Sequence, residues 1–143
     1  MQELPSFQLD VFIEAEGKII PFDKVNDIKV DLIVDAIIGY SLSSAPQGIV
    51  LEMIDFINKN TIPTISLDIP TGILATSGEN PGEFVKPDKT ITLALPKTGL
   101  YPEKCGAIIL ADIGIPATVF NKAGINYSSP FSSTFYINIE PVF

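Results

Sequence analysis

The stretch Ile62 to Gly72, Ile-Pro-Thr-Ile-Ser-Leu-Asp-Ile-Pro-Thr-Gly, restricts the fold more than any other part of the chain. A short β-rich run, Thr64 to Leu67, ends in a carboxylate, and the Pro70-Thr71-Gly72 that follows cannot continue a strand. Asp68 is therefore expected at the carboxyl end of a strand. In an open α/β sheet, ligands bind at that edge, because strand-to-helix loops converge there and helix amino termini point N–H groups into the crevice. Taken alone, these residues also fit a plain turn, in which Asp68 accepts backbone N–H bonds and Gly72 supplies a positive φ.

A second element of the same kind lies upstream. Val30 to Ile38 is a β-branched, nearly continuous apolar run, as expected of a strand buried on both faces. The strand is placed at Leu32 to Ala36, with Asp35 at its carboxyl end. Gly39 to Gly48 follows, a small, hydroxyl-rich loop that would let backbone approach a ligand, or serve only as a connection. Ile49 to Asn58 has apolar residues at 49, 50, 51, 53, 54, 56 and 57, the pattern of a well-buried helix. The order strand, helix, strand implies a right-handed crossover between parallel neighbours. Asp35 and Asp68 are then expected to face one crevice.

The remaining chain is less regular. In residues 1–29, Phe7, Leu9, Val11 and Ile13 alternate with other residues before Glu16-Gly17-Lys18, which reads as a hairpin or edge strand. Ile73 to Asp88 is a long excursion broken by Pro and Gly, a length that tends to be functional or partly disordered. Strands are expected at Lys89 to Leu95, Ala107 to Leu110 and Thr134 to Ile139, the last with Phe135, Ile137 and Ile139 on one face. One helical turn is expected after Pro116. Lys97, just past a strand end, is either a phosphate contact or, as is commoner, a solvated lysine.

Composition narrows the function classes. With 143 residues, 46% hydrophobic and 18% charged, the chain suits one globular domain, 1–143, with a real core. A net charge of −8 and no basic cluster argue against nucleic acid and acidic membranes as partners. The absence of His and the single Cys105 exclude imidazole triads and cysteine metal clusters within these residues. Acid–base work falls to Asp, Glu, Lys or Tyr. No apolar run approaches the roughly 18 residues of a membrane span, and no basic leader is visible, so a cytoplasmic location is expected. Gly-x-Gly-x-x-Gly and Walker loops are both absent.

Six segments in order resemble the NAD(P)H-hydrate epimerase family, the YjeF amino-terminal domain. They are Val34-Asp35-Ala36-Ile37-Ile38-Gly39-Tyr40-Ser41, Asp68-Ile69-Pro70-Thr71-Gly72, Thr76-Ser77-Gly78-Glu79, Lys86-Pro87-Asp88, Pro96-Lys97-Thr98-Gly99-Leu100 and Ala111-Asp112-Ile113-Gly114-Ile115-Pro116. They span about residues 30–116, leaving 1–29 of uncertain placement and 117–143 as a terminal extension. The resemblance implies a three-layer, Rossmann-like α/β domain with a mostly parallel sheet, incomplete on its amino-terminal side. It further implies interconversion of the R and S forms of hydrated NADH or NADPH. In that family the residues matching Asp35 and Thr71 help hold a potassium ion. Those matching Gly39, Tyr40, Ser41, Leu42, Ser43, Ser44 and Ala45, together with Asp68, contact the nucleotide. Asp68 is the candidate acid/base.

Two departures set the expectations for activity. The family's phosphate loop, of the form Gly-x-Gly-Asn-Asn-Gly-Gly-Asp, precedes the matched segment in its members and has no counterpart here. Ser43 stands where a Lys or Arg is frequent. The isolated chain is therefore expected to be inactive until a missing segment or protein partner supplies that loop. Two other readings stay open: a non-catalytic relative used for binding or scaffolding, as some members are in RNA-decay complexes, or an unrelated small-molecule or ion-binding domain. Its apolar stretches could also form a homodimer interface.

Overall fold

The computed structural model describes residues 3–140. Five strands form one sheet in the order β1-β2-β3-β4-β5: β1 Ile33–Asp35, β2 Thr64–Leu67, β3 Lys89–Leu93, β4 Ala107–Ala111 and β5 Tyr136–Ile139. The first four are parallel, and β5 runs antiparallel to β4. Helices α1 Glu3–Glu14, α2 Ile49–Lys59, α3 Pro102–Cys105 and α4 Ala117–Lys122, with a 3-10 turn at Phe22–Asp27, complete the α/β architecture. The mostly parallel sheet, the strand at Thr64–Leu67 and the helix after β1 are as the sequence implies, but the helix is less buried than expected: of its apolar residues only Ile54 and Ile57 are buried, and Ile49 is exposed.

Strand alternation sorts the sheet into two faces. On one, Ile33, Asp35, Thr64, Ser66, Thr90, Thr92, Ile108, Leu110 and Ile139 fall in register. This face is covered. Ile54 and Ile57 of α2 pack with Val85 near Ile33 and Ile37. Beside them Ile69, Ile73, Ala75, Leu100, Cys105 and Ile108 form a second cluster with Phe84 and Ile139 against it.

The excursion after β2 supplies much of that core and is tied down at each end. Asn58 of α2 donates through Nδ2 to Phe84 O at 2.8 Å and accepts from Lys86 N at 2.9 Å. Asp88 then accepts the Thr64 N–H on Oδ2 at 2.8 Å, setting the entry of β3 beside β2. Lys104 reaches back to Gly78 O and Asn80 Oδ1, both at 2.8 Å. A length that looked loose in sequence is thus a built loop, held by side-chain to backbone bonds rather than by regular structure.

Four other expectations are corrected. Residues 3–14 form α1 rather than a hairpin or edge strand. A helix closes its hydrogen bonds within itself, and the sheet gives this segment no strand partner. Strand β1 is not buried on both faces: Val34 is 58% exposed, because β1 is an edge strand covered on one side only. Strand β3 stops at Leu93 rather than Leu95, since Ala94 adopts a φ of 63° that no strand can continue through. Phe135 lies outside β5 and is exposed, while Ile137 and Ile139 do share the inward face.

Candidate functional site

Asp35 ends β1 beside the turn that follows β2. Its carboxylate is 1% exposed and fully engaged. Oδ2 accepts from Ser66 Oγ at 2.7 Å and from the Thr71 N–H at 2.9 Å. Oδ1 accepts from Thr71 Oγ1 at 2.6 Å, with the Ile37 N–H at 3.4 Å. The turn can wrap this closely because Gly72 has a φ of 102°. A Cβ there would lie 2.5 Å from Glu83 O and 2.6 Å from Phe84 Cα. Glycine is required on both counts.

Thr71 Oγ1 also accepts the Ile38 N–H at 3.0 Å and lies 3.2 Å from Ile38 O. The hydroxyl has one proton, and the shorter contact to the carboxylate takes it. The Ile38 carbonyl therefore faces a hydroxyl oxygen whose proton is already used. Carboxylate, hydroxyl and carbonyl oxygens converge here, the donor types a hard cation takes. These residues fit a potassium ion in chemistry. Among the described residues no group of three or more His, Cys, Asp or Glu side chains could hold a metal, so such an ion would depend on hydroxyl and carbonyl oxygens beside the single carboxylate of Asp35.

Asp68, one residue past β2, has a φ of 67°. Aspartate tolerates that region better than most residues. Its N–H donates to Ile91 O at 2.7 Å, holding the turn against β3. Oδ1 accepts from Leu93 N at 3.1 Å, from Thr92 Oγ1 at 3.3 Å and from the Lys97 ammonium. Lys97 also donates to Leu93 O at 2.9 Å. All of these bonds fall on one oxygen, and Oδ2 carries none of them. Two non-glycine residues with positive φ, Asp68 and Ala94, thus sit at the ends of neighbouring strands.

Lys97 lines a cleft of about 450 Å³ together with Tyr40, Ala75, Thr76 and Leu93 to Thr98. A second hollow of about 410 Å³ is bounded by Ile38, Ser41, Leu42, Ser43, Ser44, Ala45 and the residues up to Gln47, with Val50. The predicted substrate loop is therefore shared between two hollows: Tyr40 faces the lysine, while Ser41 to Ala45 form the other wall. Gly39 has no atom within 4 Å of where a Cβ would stand, so it leaves open space there. Asp35 and Asp68 do not open onto one crevice, because Asp35 is enclosed by its partners and only Asp68 remains half-buried.

The sequence reading missed Ser66 altogether and the role, though not the position, of Lys97. Ser66 donates to Asp35 from the same face of the sheet, a position marked only by its spacing of two from Asp68. Lys97 is neither solvated nor free for phosphate: its side chain is 18% exposed and pairs with Asp68. The signal available was its place just beyond a strand end. Cys105 is fully buried, and burial pushes its thiol up to about 11.

Among the described residues, no helix is long and apolar enough to cross a membrane. Residues 1–99 match the family model described as YjeF-related protein N-terminus. The chain is 40% identical over 140 residues to the NAD(P)H-hydrate epimerase of Dehalogenimonas lykanthroporepellens, which covers 97% of this chain and 57% of that protein. It is 37% identical over 99 residues to the NAD(P)H-hydrate epimerase of Truepera radiovictrix, covering 68% of this chain and 45% of that one. The chain thus spans about half the length of these relatives. The crystal structure of yeast ynu0 superposes with a TM-score of 0.76 over 96% of this chain and 61% of that chain, at 21% identity, and supports the fold. The match extends through the amino-terminal helix that the motifs alone left unplaced, and the chain belongs to the family of YjeF-related protein N-termini.

Proposed function

We propose that these residues form the nicotinamide side of a site that interconverts the R and S forms of hydrated NADH or NADPH, with Asp68 as the acid/base and the loop Gly39 to Ala45 as the substrate wall. The observation that carries this reading is the asymmetry of Asp68. Three donors fix Oδ1 and leave Oδ2 without a bond, and one of those donors, Lys97, lines a cleft together with Tyr40. The names of the relatives supply the reaction.

Inversion at a hydrated ring carbon requires the C–O bond to break and re-form on the opposite face. The leaving hydroxyl needs a proton, and the returning water must give one up, so one group that alternates between the two tasks suffices and no oxidant is consumed. Asp68 Oδ2 can hold and return that proton, while Lys97 and the Leu93 N–H keep the carboxylate in place. Asp35, Thr71 and the Ile38 carbonyl would hold a potassium ion, which when bound would supply a fixed positive charge at the carboxyl end of β1. The phosphate loop belongs to the portion of the family domain outside these residues, so activity requires that portion.

The test follows R and S hydrated NADH by chromatography with potassium or sodium. It uses the chain alone and the chain supplemented with the unmatched portion of the Dehalogenimonas relative. Turnover only in the supplemented sample, faster with potassium, is expected. No turnover in a folded, supplemented sample would overturn the proposal.

A further inference from the structure

Asp35 is a buried carboxylate, and among the described residues it has no basic partner, the ion pairs being Lys59–Asp55 and Lys97–Asp68. A buried charge is kept by hydrogen-bond donors or by a bound metal rather than left alone. The donors around Asp35 are neutral. Ser66 Oγ at 2.7 Å and the Thr71 N–H at 2.9 Å share Oδ2, while the Thr71 hydroxyl at 2.6 Å holds Oδ1 with the more distant Ile37 N–H. Thr71 and Ile37 belong to the loops after the strands. Ser66 alone comes from within the sheet, as the direct neighbour of Asp35 across the β1–β2 pair, and it is wholly buried. On its other side, Thr90 gives its own hydroxyl proton to Cys105 O at 2.7 Å, which leaves Asp35 as the acceptor that Ser66 serves.

We infer that Ser66 sets the selectivity of the Asp35, Thr71 and Ile38 oxygens, favouring potassium over sodium. Each hydrogen bond donated to a carboxylate draws off part of the negative charge that a cation would feel. With two donors on Oδ2, the single carboxylate presents a weak field beside neutral hydroxyl and carbonyl oxygens. Stripping water from a cation costs more the smaller the ion, and a weak field offsets that cost for potassium better than for sodium. Removing the Ser66 hydroxyl strengthens the field and moves the preference toward the smaller ion. Ser66 is thus a positioning residue that acts through Asp35. This role depends on the cation-binding part of the proposed function and not on the reaction.

The test titrates potassium chloride or sodium chloride into the full chain, with choline chloride holding the ionic strength constant, and follows urea unfolding without substrate. Each cation's apparent affinity comes from the stability it adds, and potassium is expected to bind the wild-type chain at least about threefold more tightly than sodium. In Ser66→Ala that ratio should fall about threefold or more, with sodium gaining, while Ser66→Thr, which keeps the hydroxyl, should hold it. A purely structural serine would lower stability equally in both salts and leave the ratio unmoved. Should Ser66→Ala fail to fold, Ser66→Cys, whose S–H is a weaker donor, is expected to give a ratio between those of wild type and sodium preference. A wild-type preference for potassium with an unchanged ratio in the variants would overturn the role of Ser66 alone. A wild-type chain that gains nothing from either salt over choline would overturn it together with the cation site, leaving Asp68 to its own test.

Discussion

Thr71 engages both carboxylate oxygens of Asp35, its N–H donating to Oδ2 at 2.9 Å and its hydroxyl to Oδ1 at 2.6 Å. One turn residue thereby closes the loop after β2 over the end of β1. Thr71→Val keeps the shape and the backbone bond but removes the hydroxyl from a buried carboxylate. We predict a loss of about 2 kcal/mol, the range for hydrogen bonds to charged groups, measured by urea unfolding. Thr71→Ser should stay within about 1 kcal/mol of wild type, because the oxygen is retained.

Gly72→Ala places a Cβ 2.5 Å from Glu83 O at a φ of 102°. Both obstacles are backbone, so no rotamer change relieves them. A loss of about 2 kcal/mol or more is expected in the same unfolding measurement. An equally stable variant would mean that the loop at 83–84 moves away freely.

Lys97 and Asp68 form a pair that is partly exposed on both sides, with side chains 18% and 24% accessible. Such pairs contribute little to folding, so Lys97→Met should change stability by less than about 1 kcal/mol. Its effect should fall on turnover instead, because Asp68 loses a donor that fixes Oδ1. In the supplemented enzyme we expect kcat to drop at least about tenfold with a smaller change in KM. Equal losses in stability and activity would reduce Lys97 to a structural role.

Burial raises the Cys105 thiol from 9.0 to about 11. At pH 8 only about one molecule in a thousand carries the thiolate, so thiol reagents should label the native chain far more slowly than the urea-unfolded one. The folded state favours the neutral thiol. This contribution to stability is fully present below pH 9.0 and is lost as the pH rises through about 11. Cys105→Ala should flatten that part of a stability–pH curve.

The elements legible in sequence are those whose ends are written in residue chemistry. Thr64 to Leu67 was readable because Pro63 precedes it and Pro70 and Gly72 follow Asp68. The turn at Ala94 was not, since alanine gives no sign of a positive φ that is imposed by its N–H bond to Ala111 O and the neighbouring Lys97 loop. Helix α1 was missed because Phe7, Leu9, Val11 and Ile13 match a strand period, while Phe7 and Val11 equally match one helix face and neither choice is decided by burial: both are exposed. In the site, Asp35, Thr71 and Asp68 stood out as strand-end and turn residues. The roles of Ser66 and Lys97 depend on contacts 31 and 29 residues away in sequence, which no local pattern encodes.

The most direct test of the central claim is Asp68→Asn in the supplemented enzyme. Asparagine is nearly isosteric and tolerates positive φ, so the fold should persist. Interconversion of R and S hydrated NADH, followed by chromatography against the wild-type protein, should fall by about 100-fold or more, the range for loss of a general acid/base. Near-normal interconversion by the folded, assembled variant would contradict the assignment of Asp68.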